Sequence, residues 1–262
     1  MVVLVATLDN NNVPELLKNM NLTDTETIVV NQSSIGRKKS SIEKFKRSTI
    51  IYSERLGLSA SRNDAVDMAN ELDICHIADD DMVFVDQYDC IVTKAYQEFP
   101  DADFIVFIVD FENNTGRKKV QPKGRMHYLA AMQTSSVQIS FKKSSLERVG
   151  LKFDERFGIG ATYGSGEENI LLFDALRKGL KLYSYPVKIA SLRERESHWD
   201  RSPTPENCRK RGAIYKRMTN NWYWLLIVQF AIRKRKQMLP EISLFDNIRY
   251  MFQGAREFAK SK

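Results

Sequence analysis

The sequence predicts an α/β fold: one mostly parallel central sheet flanked by helices, closed by a helical, basic C-terminal extension. Three observations lead there. Val2–Leu8 is an unbroken apolar run, suited to a strand buried on both faces. Strand-like and helix-like stretches then alternate along the first 206 residues, as a parallel sheet requires. Polar and acidic residues gather where the apolar stretches end, which is where such sheets hold their ligands.

Composition agrees with one large domain and a small appendage, for the chain has 262 residues, 43% of them hydrophobic and 10% aromatic. Disorder of the whole chain is excluded. Cys75, Cys90 and Cys208 neither pair closely nor take a zinc spacing, so a reducing, cytoplasmic setting without a disulfide framework is expected. Met1–Thr7 is apolar but short and lacks a preceding basic region, which marks a first core strand and not a signal peptide.

In chain order, Asp9–Asn12 supplies turn chemistry after the first strand and a cap for a helix over Val13–Met20, with Pro14 in its first turn. Thr27–Val30 and Ser48–Tyr52 read as strands, Arg62–Leu72 as a helix and Ile74–Ala78 as a strand. A helix over Asp86–Glu98 and a long strand over Phe104–Phe111 follow. Glu112–Arg125 is polar and basic, and reads as a loop. Val137–Phe141 is expected to be a strand and Lys143–Val149 a short helix. Glu167–Lys178 makes a helix closed by Gly179, and two strands, Leu180–Tyr185 and Val187–Ala190, end the sheet.

Charge divides the chain unevenly. The net charge is +7, yet from Asn207 onward 13 Lys and Arg face 3 Asp and Glu, so residues 207–262 form a basic segment beside a mildly acidic 1–206 domain. Within it, Trp222–Ile232 is an apolar run of 11 residues followed at once by Arg233-Lys234-Arg235-Lys236. A bilayer-spanning helix needs about 20 residues. Two readings stand: a helix packed on the domain, or an interfacial helix with its tryptophans among headgroups and its cations on an anionic membrane surface. No nucleic acid partner is expected, because no recognised binding module accompanies the basic stretch.

Four groups of residues carry possible chemistry. Asp79-Asp80-Asp81 ends the apolar Cys75–Ala78 stretch; three adjacent carboxylates repel unless a cation sits among them, though a solvated turn also accommodates them. Leu58–Asn63 lies at a loop-to-helix junction, where Ser61 either caps the helix or, with Arg62 and backbone N–H groups, faces phosphate. Gly164-Ser165-Gly166 delivers Glu167 and Glu168 onto a helix's first turn, either for dipole stabilisation or as a base aimed into a cleft. His198 sits in the polar stretch Arg193–Trp199, solvated or ligating, whereas His76 reads as a packed core histidine and His127 has no recognisable partner.

Taken in order, Asn31-Gln32-Ser33, Gly57–Asn63, Asp79-Asp80-Asp81, Phe153–Gly158, Gly166-Glu167-Glu168 and His198 resemble the motifs of family-two nucleotide-sugar glycosyltransferases, of the kind that build bacterial surface polysaccharides. The resemblance implies a GT-A fold with a single Rossmann-like sheet, a nucleotide-sugar half over about residues 1–100 and an acceptor half over about 101–206. It also implies roles. Thr7, Asp9, Asn31 and Gln32 match the nucleotide-binding strand exits, and Ser59, Arg62 and Asn63 the sugar-diphosphate region. Asp79 and Asp80 match ribose or donor-sugar contacts. Asp81 and His198 match the ligands of Mn²⁺ or Mg²⁺.

Asn31 stands where an aspartate is more usual; its amide can accept from a pyrimidine N3–H and donate to O4, so a UDP-sugar is favoured and a dTDP-sugar possible. Glu168 stands at the catalytic base, with Glu167 the alternative, and Trp199 and Tyr163 are placed to stack on an acceptor sugar. The implied reaction is a single displacement with inversion onto a saccharide or lipid-linked oligosaccharide, by an enzyme peripheral to the inner face of the membrane. Two rivals remain. A sugar-phosphate nucleotidyltransferase would show a glycine-rich basic loop where Asp9–Asn12 stands, and a non-catalytic nucleotide-sugar-binding scaffold would not need Asp79, Asp81, Glu168 and His198 together.

Overall fold

Strand β1 (Val2–Leu8) lies near the middle of the sheet and its alternate residues enter different cores: Val2 and Leu4 join one cluster, Val3 and Val5 the other. A period-two run that is apolar throughout has no solvent face. A computed structural model describes residues 1–34, 40–111, 121–193 and 202–261. Its other elements are α1 (Val13–Asn19), β2 (Thr27–Gln32), β3 (Ser41–Phe45), β4 (Ser48–Ser53), α2 (Leu58–Met68), β5 (Ile74–Asp79), β6 (Met82–Phe84) and α3 (Tyr88–Glu98). Then follow β7 (Phe104–Phe111), β8 (Gly124–Arg125), α4 (Tyr128–Ala131), β9 (Ile139–Lys142), α5 (Lys143–Val149), α6 (Glu167–Arg177), β10 (Leu182–Leu192), α7 (Pro205–Thr219), α8 (Tyr223–Met238) and α9 (Leu244–Lys260).

The sheet runs β3-β4-β2-β1-β5-β9-β7-β10-β6, with β8 on β10. β4, β2, β1 and β5 are mutually parallel; β9 is antiparallel to both β5 and β7, which restores β7 and its parallel partner β10 to the common direction. Six strands therefore share one direction, and the sheet is mostly parallel as expected. In register, Thr7 lies opposite Asn31 and Ala6 opposite Asp79, so three strand exits open at one edge.

Several boundaries differ from the sequence reading. Helix α2 begins at Leu58 and not Arg62, with Gly57 at its N-cap; Ser61 lies inside the helix, buried, and caps nothing. The two expected last strands are one, β10, which passes Pro186 by shifting register between Ser184 and Lys188 and again before Ala190. The short elements β3, β6, β8 and α4 were not anticipated, and β3 is an exposed edge strand with no apolar alternation to betray it. Asn12 does cap α1, accepting from Glu15 N–H at 3.2 Å. Residues 112–120 of the expected loop lie outside the described residues.

The C-terminal helices join the main core: Ile214, Met218, Phe230, Met251 and Phe258 belong to the same cluster as Leu4, Ile77 and Phe104. Helices α7 and α9 touch backbone to backbone. A Cβ on Gly212 would fall 1.8 Å from the Met251 carbonyl oxygen and one on Gly254 2.0 Å from that of Arg209, so only glycine fits at either crossing point. The three cysteines are free thiols.

Candidate active site

The parallel strand exits place Thr7, Asn31 and Asp79–Asp81 side by side, and short polar clamps hold the loops beyond them. Thr7 Oγ1 donates to Asp80 Oδ2 at 2.7 Å, joining β1 to the residues after β5. The Asn31 amide accepts from Asn10 N–H at 3.1 Å and donates to Asn10 O at 2.7 Å, so it fixes the loop after β1. Asp9, at φ 51°, accepts from Ser34 N–H at 3.0 Å and from the Ser34 hydroxyl. Gln32 donates to Arg55 O and, at 3.1 Å, to Gly57 O, bracing the entry to α2.

Helix α2 is polar yet buried because its partners come from far along the chain. Ser59 Oγ donates to Phe157 O at 2.6 Å. Asn63 accepts from Phe153 N–H at 2.9 Å and donates to Phe153 O at 3.1 Å and Glu155 Oε1 at 3.0 Å. These bonds fasten the Phe153–Gly158 loop onto α2. Gly158 completes the fit: at φ 103°, a Cβ there would sit 3.1 Å from Ser59 Oγ and 3.4 Å from the Glu167 carboxyl.

Arg62 stands at the centre. Its guanidinium, 2% exposed, donates to Asp79 Oδ1 at 3.0 Å and to Glu167 Oε1 at 2.9 Å, joining the last residue of β5 to the first residue of α6. Burial opposes its charge, but attraction from Asp79, Glu167 and Glu168 outweighs the burial and raises its pKa above the ordinary arginine value. Glu167 is 1% exposed and committed to this pair. Glu168, the next residue on the first turn of α6, is half-buried and lies near enough for its charge to be felt by Arg62. Asp79 keeps a side chain 39% exposed.

A second arginine, unforeseen from sequence, locks the other end of this frame. Arg217 of α7 donates through Nε to Asp154 at 2.7 Å and through its two terminal nitrogens to Asp174 of α6 at 3.1 and 2.8 Å. Burial pushes Asp154 upward, but hydrogen bonds from Arg156 and Arg217 prevail and hold its pKa at about 2. Below the same loop, Tyr163 stacks on Phe157 at 4.9 Å and meets Phe258 of α9 edge-on at 5.6 Å. No local pattern announces these contacts, since Arg217 and Phe258 lie in the basic segment far from every motif.

Of the residues singled out from sequence, Thr7, Asn31, Gln32, Ser59, Arg62, Asn63, Asp79, Asp80, Asp81, Glu167 and Glu168 thus come together around one edge, with Asp9 beside them. Asn31, Gln32, Ser59 and Asn63 hold loops in place through bonds to backbone. Tyr163 is engaged by two rings of its own chain. His198 and Trp199 lie outside the described residues, although Arg193, shortly before them, donates its N–H to Asp81 O at 2.9 Å. His76 is fully buried in β5, edge-on to Phe84 at 5.7 Å.

No family model matches the chain, and no curated protein does. Solved structures do. Residues 1–349 of S. aureus TarS in complex with UDP-GlcNAc align at TM-score 0.62 and 11% identity, covering 100% of this chain and 93% of that one. The same fragment in complex with UDP aligns at TM-score 0.57 and 12% identity, covering 100% and 92%. A longer S. aureus TarS structure gives 0.59 and 13%, covering 89% of this chain and 43% of that one. At such low identity the likeness is one of architecture, and it bears out the expected GT-A fold.

Proposed function

We propose that this chain is a glycosyltransferase that moves a sugar from a nucleoside diphosphate donor, a UDP-sugar in the first instance, to a hydroxyl of a saccharide or lipid-linked acceptor with inversion. One observation carries the reading: Arg62 ties Asp79, at the strand exit, to Glu167, and the neighbouring Glu168 is left half-buried at the start of α6. The fold is also that of a protein solved with UDP-GlcNAc bound.

The chain's own residues supply most of the chemistry. Glu168 takes the proton of the attacking hydroxyl; a helix N-terminus favours its ionised form, which is the form a base needs. Glu167 does not take that part, because its carboxylate is sealed against Arg62 and meets no incoming hydroxyl. Asp79 faces the ribose or donor sugar, and Arg62 holds that carboxylate in position. Asp80, fixed by Thr7, and the Asn31-clamped loop shape the wall on which the nucleotide lies.

The donor set suits a divalent ion. Asp79–Asp81 are hard oxygen ligands, and Mg²⁺ or Mn²⁺ at such sites takes one or two carboxylates and completes its shell with substrate phosphate and water. Asp81 would hold the ion, with His198 as the second protein ligand, and the ion would offset the charge of the departing diphosphate.

The test is a panel of nucleotide sugars with Mn²⁺, read by donor hydrolysis and by thermal stabilisation. A UDP-sugar that raises Tm and is consumed supports the reading, and a nuclear magnetic resonance assignment of the product anomer checks inversion. Indifference to every donor in both readouts would refute it.

A further inference from the structure

Helix α8 presents two unlike faces. Tyr223, Ile227 and Phe230 recur at helical spacing and turn inward: Tyr223 meets Phe252 of α9 edge-on at 6.0 Å, and Phe230 meets Tyr215 of α7 at 6.2 Å. Trp222, Trp224, Leu225 and Ile232 point outward, Trp222 64% and Ile232 54% exposed. In the turn that follows, Arg233, Arg235 and Lys236 are exposed and make no ion pair among the described residues. The helix is therefore packed on the domain by one stripe and carries an uncovered apolar stripe, ending in cations, on the other.

We propose that this outer face of α8 docks on an anionic lipid bilayer, with the helix lying in the interfacial plane. Each part of the face fits that occupant. Tryptophan rings favour the headgroup level, the aliphatic pair enters the acyl boundary, and the cations meet lipid phosphates. Crossing is ruled out for α8 by size: its 16 residues rise about 24 Å, short of a hydrocarbon core of about 30 Å, and its last turns are cationic. No helix among the described residues is long and apolar enough to cross a membrane. A second copy of this chain is the poorer occupant, because it would set the same positive cluster against itself. Such docking depends on the helix alone, whether or not the chain transfers sugar.

Flotation of the full chain with vesicles tests it, using phosphatidylcholine alone and phosphatidylcholine containing phosphatidylglycerol. The chain is expected to float with the anionic vesicles only and to be released at high salt. The variant R233Q/R235Q/K236Q should weaken partitioning about a hundredfold, each cation contributing roughly fivefold near such a surface. W222A/W224A should weaken it on the order of tenfold. Both variants replace exposed side chains, so each should keep the wild-type Tm and donor hydrolysis. Failure to float with anionic vesicles, or unchanged flotation of both variants, would overturn the proposal. So would a stable dimer in sedimentation velocity that W222A/W224A dissolves, or RNA binding that the triple variant abolishes while vesicles are ignored.

Discussion

Arg62 and Arg217 each bridge two carboxylates, and each has one of them on α6, yet they work in different surroundings. Arg62 is 2% exposed between Asp79 and Glu167 at the first turn of α6; Arg217 is 21% exposed between Asp154 and Asp174 two turns further along. A sealed ion pair has no water to replace a lost partner, while a half-open one does, so equal geometry carries unequal consequences. The helix that bears Glu168 is thus pinned rigidly where the chemistry is assigned and more loosely behind it.

Breaking the sealed bridge should show the largest effect. Arg62→Met strands the buried Glu167 carboxylate and is expected to cost about 3–5 kcal/mol in denaturant unfolding, with donor turnover lost. Next, the two adjacent glutamates should separate cleanly. Glu168→Gln should lower kcat by about 10²–10⁴-fold at unchanged Tm. Glu167→Gln should instead lower stability by about 1–3 kcal/mol, because Arg62 keeps a hydrogen-bond acceptor but loses a charge. Equal turnover in wild type and Glu168→Gln would remove Glu168 from its assigned role.

A pH effect of comparable size belongs to β5. Burial lowers the His76 pKa from 6.5 to about 4, so the unfolded chain binds this proton first as pH falls. Stability from this site is fully present above pH 6.5 and falls through the window between 6.5 and about 4, the loss reaching about 3 kcal/mol at the acid end. His76→Phe should flatten that part of a stability-against-pH curve, and an unaltered slope would contradict the assignment. The smallest effect is expected from Arg217→Met, about 1–2 kcal/mol and a Tm lower by about 2–8 °C, with turnover reduced but measurable. Were Arg217→Met as damaging as Arg62→Met, burial would not be what separates the two bridges.

What was legible in the sequence follows from the range of the interactions. Val2–Leu8 is legible to the residue because a strand buried on both faces needs only a continuous apolar run, and Phe104–Val109 follows the same rule within its strand. The motif residues were placed on one edge because parallel strands must present their ends together. The sequence places the start of α2 four residues late, since Ser59, Arg62 and Asn63 look like loop residues. Their partners, Phe157, Glu167 and Phe153, lie some 90 to 105 positions away, beyond any local pattern. Pro186 suggested a break between two strands where the sheet makes a bulge. The frame behind the site was invisible for a further reason: Gly212 and Gly254 act through the side chains they lack.

Phe258 gives this arrangement a temporal consequence. It packs on Phe157 at 5.7 Å and on Tyr163, beneath the loop that Asn63 and Gly158 fasten to α2. During synthesis, every motif residue of the described sheet is made before α7, α8 and α9, and Phe258 arrives after all of them. A nascent chain can form the β1–β5 edge early, but its Phe153–Gly158 loop has no floor until the last described helix folds back. The order of translation therefore separates a stage with the strand exits in place from a stage with the whole cleft assembled.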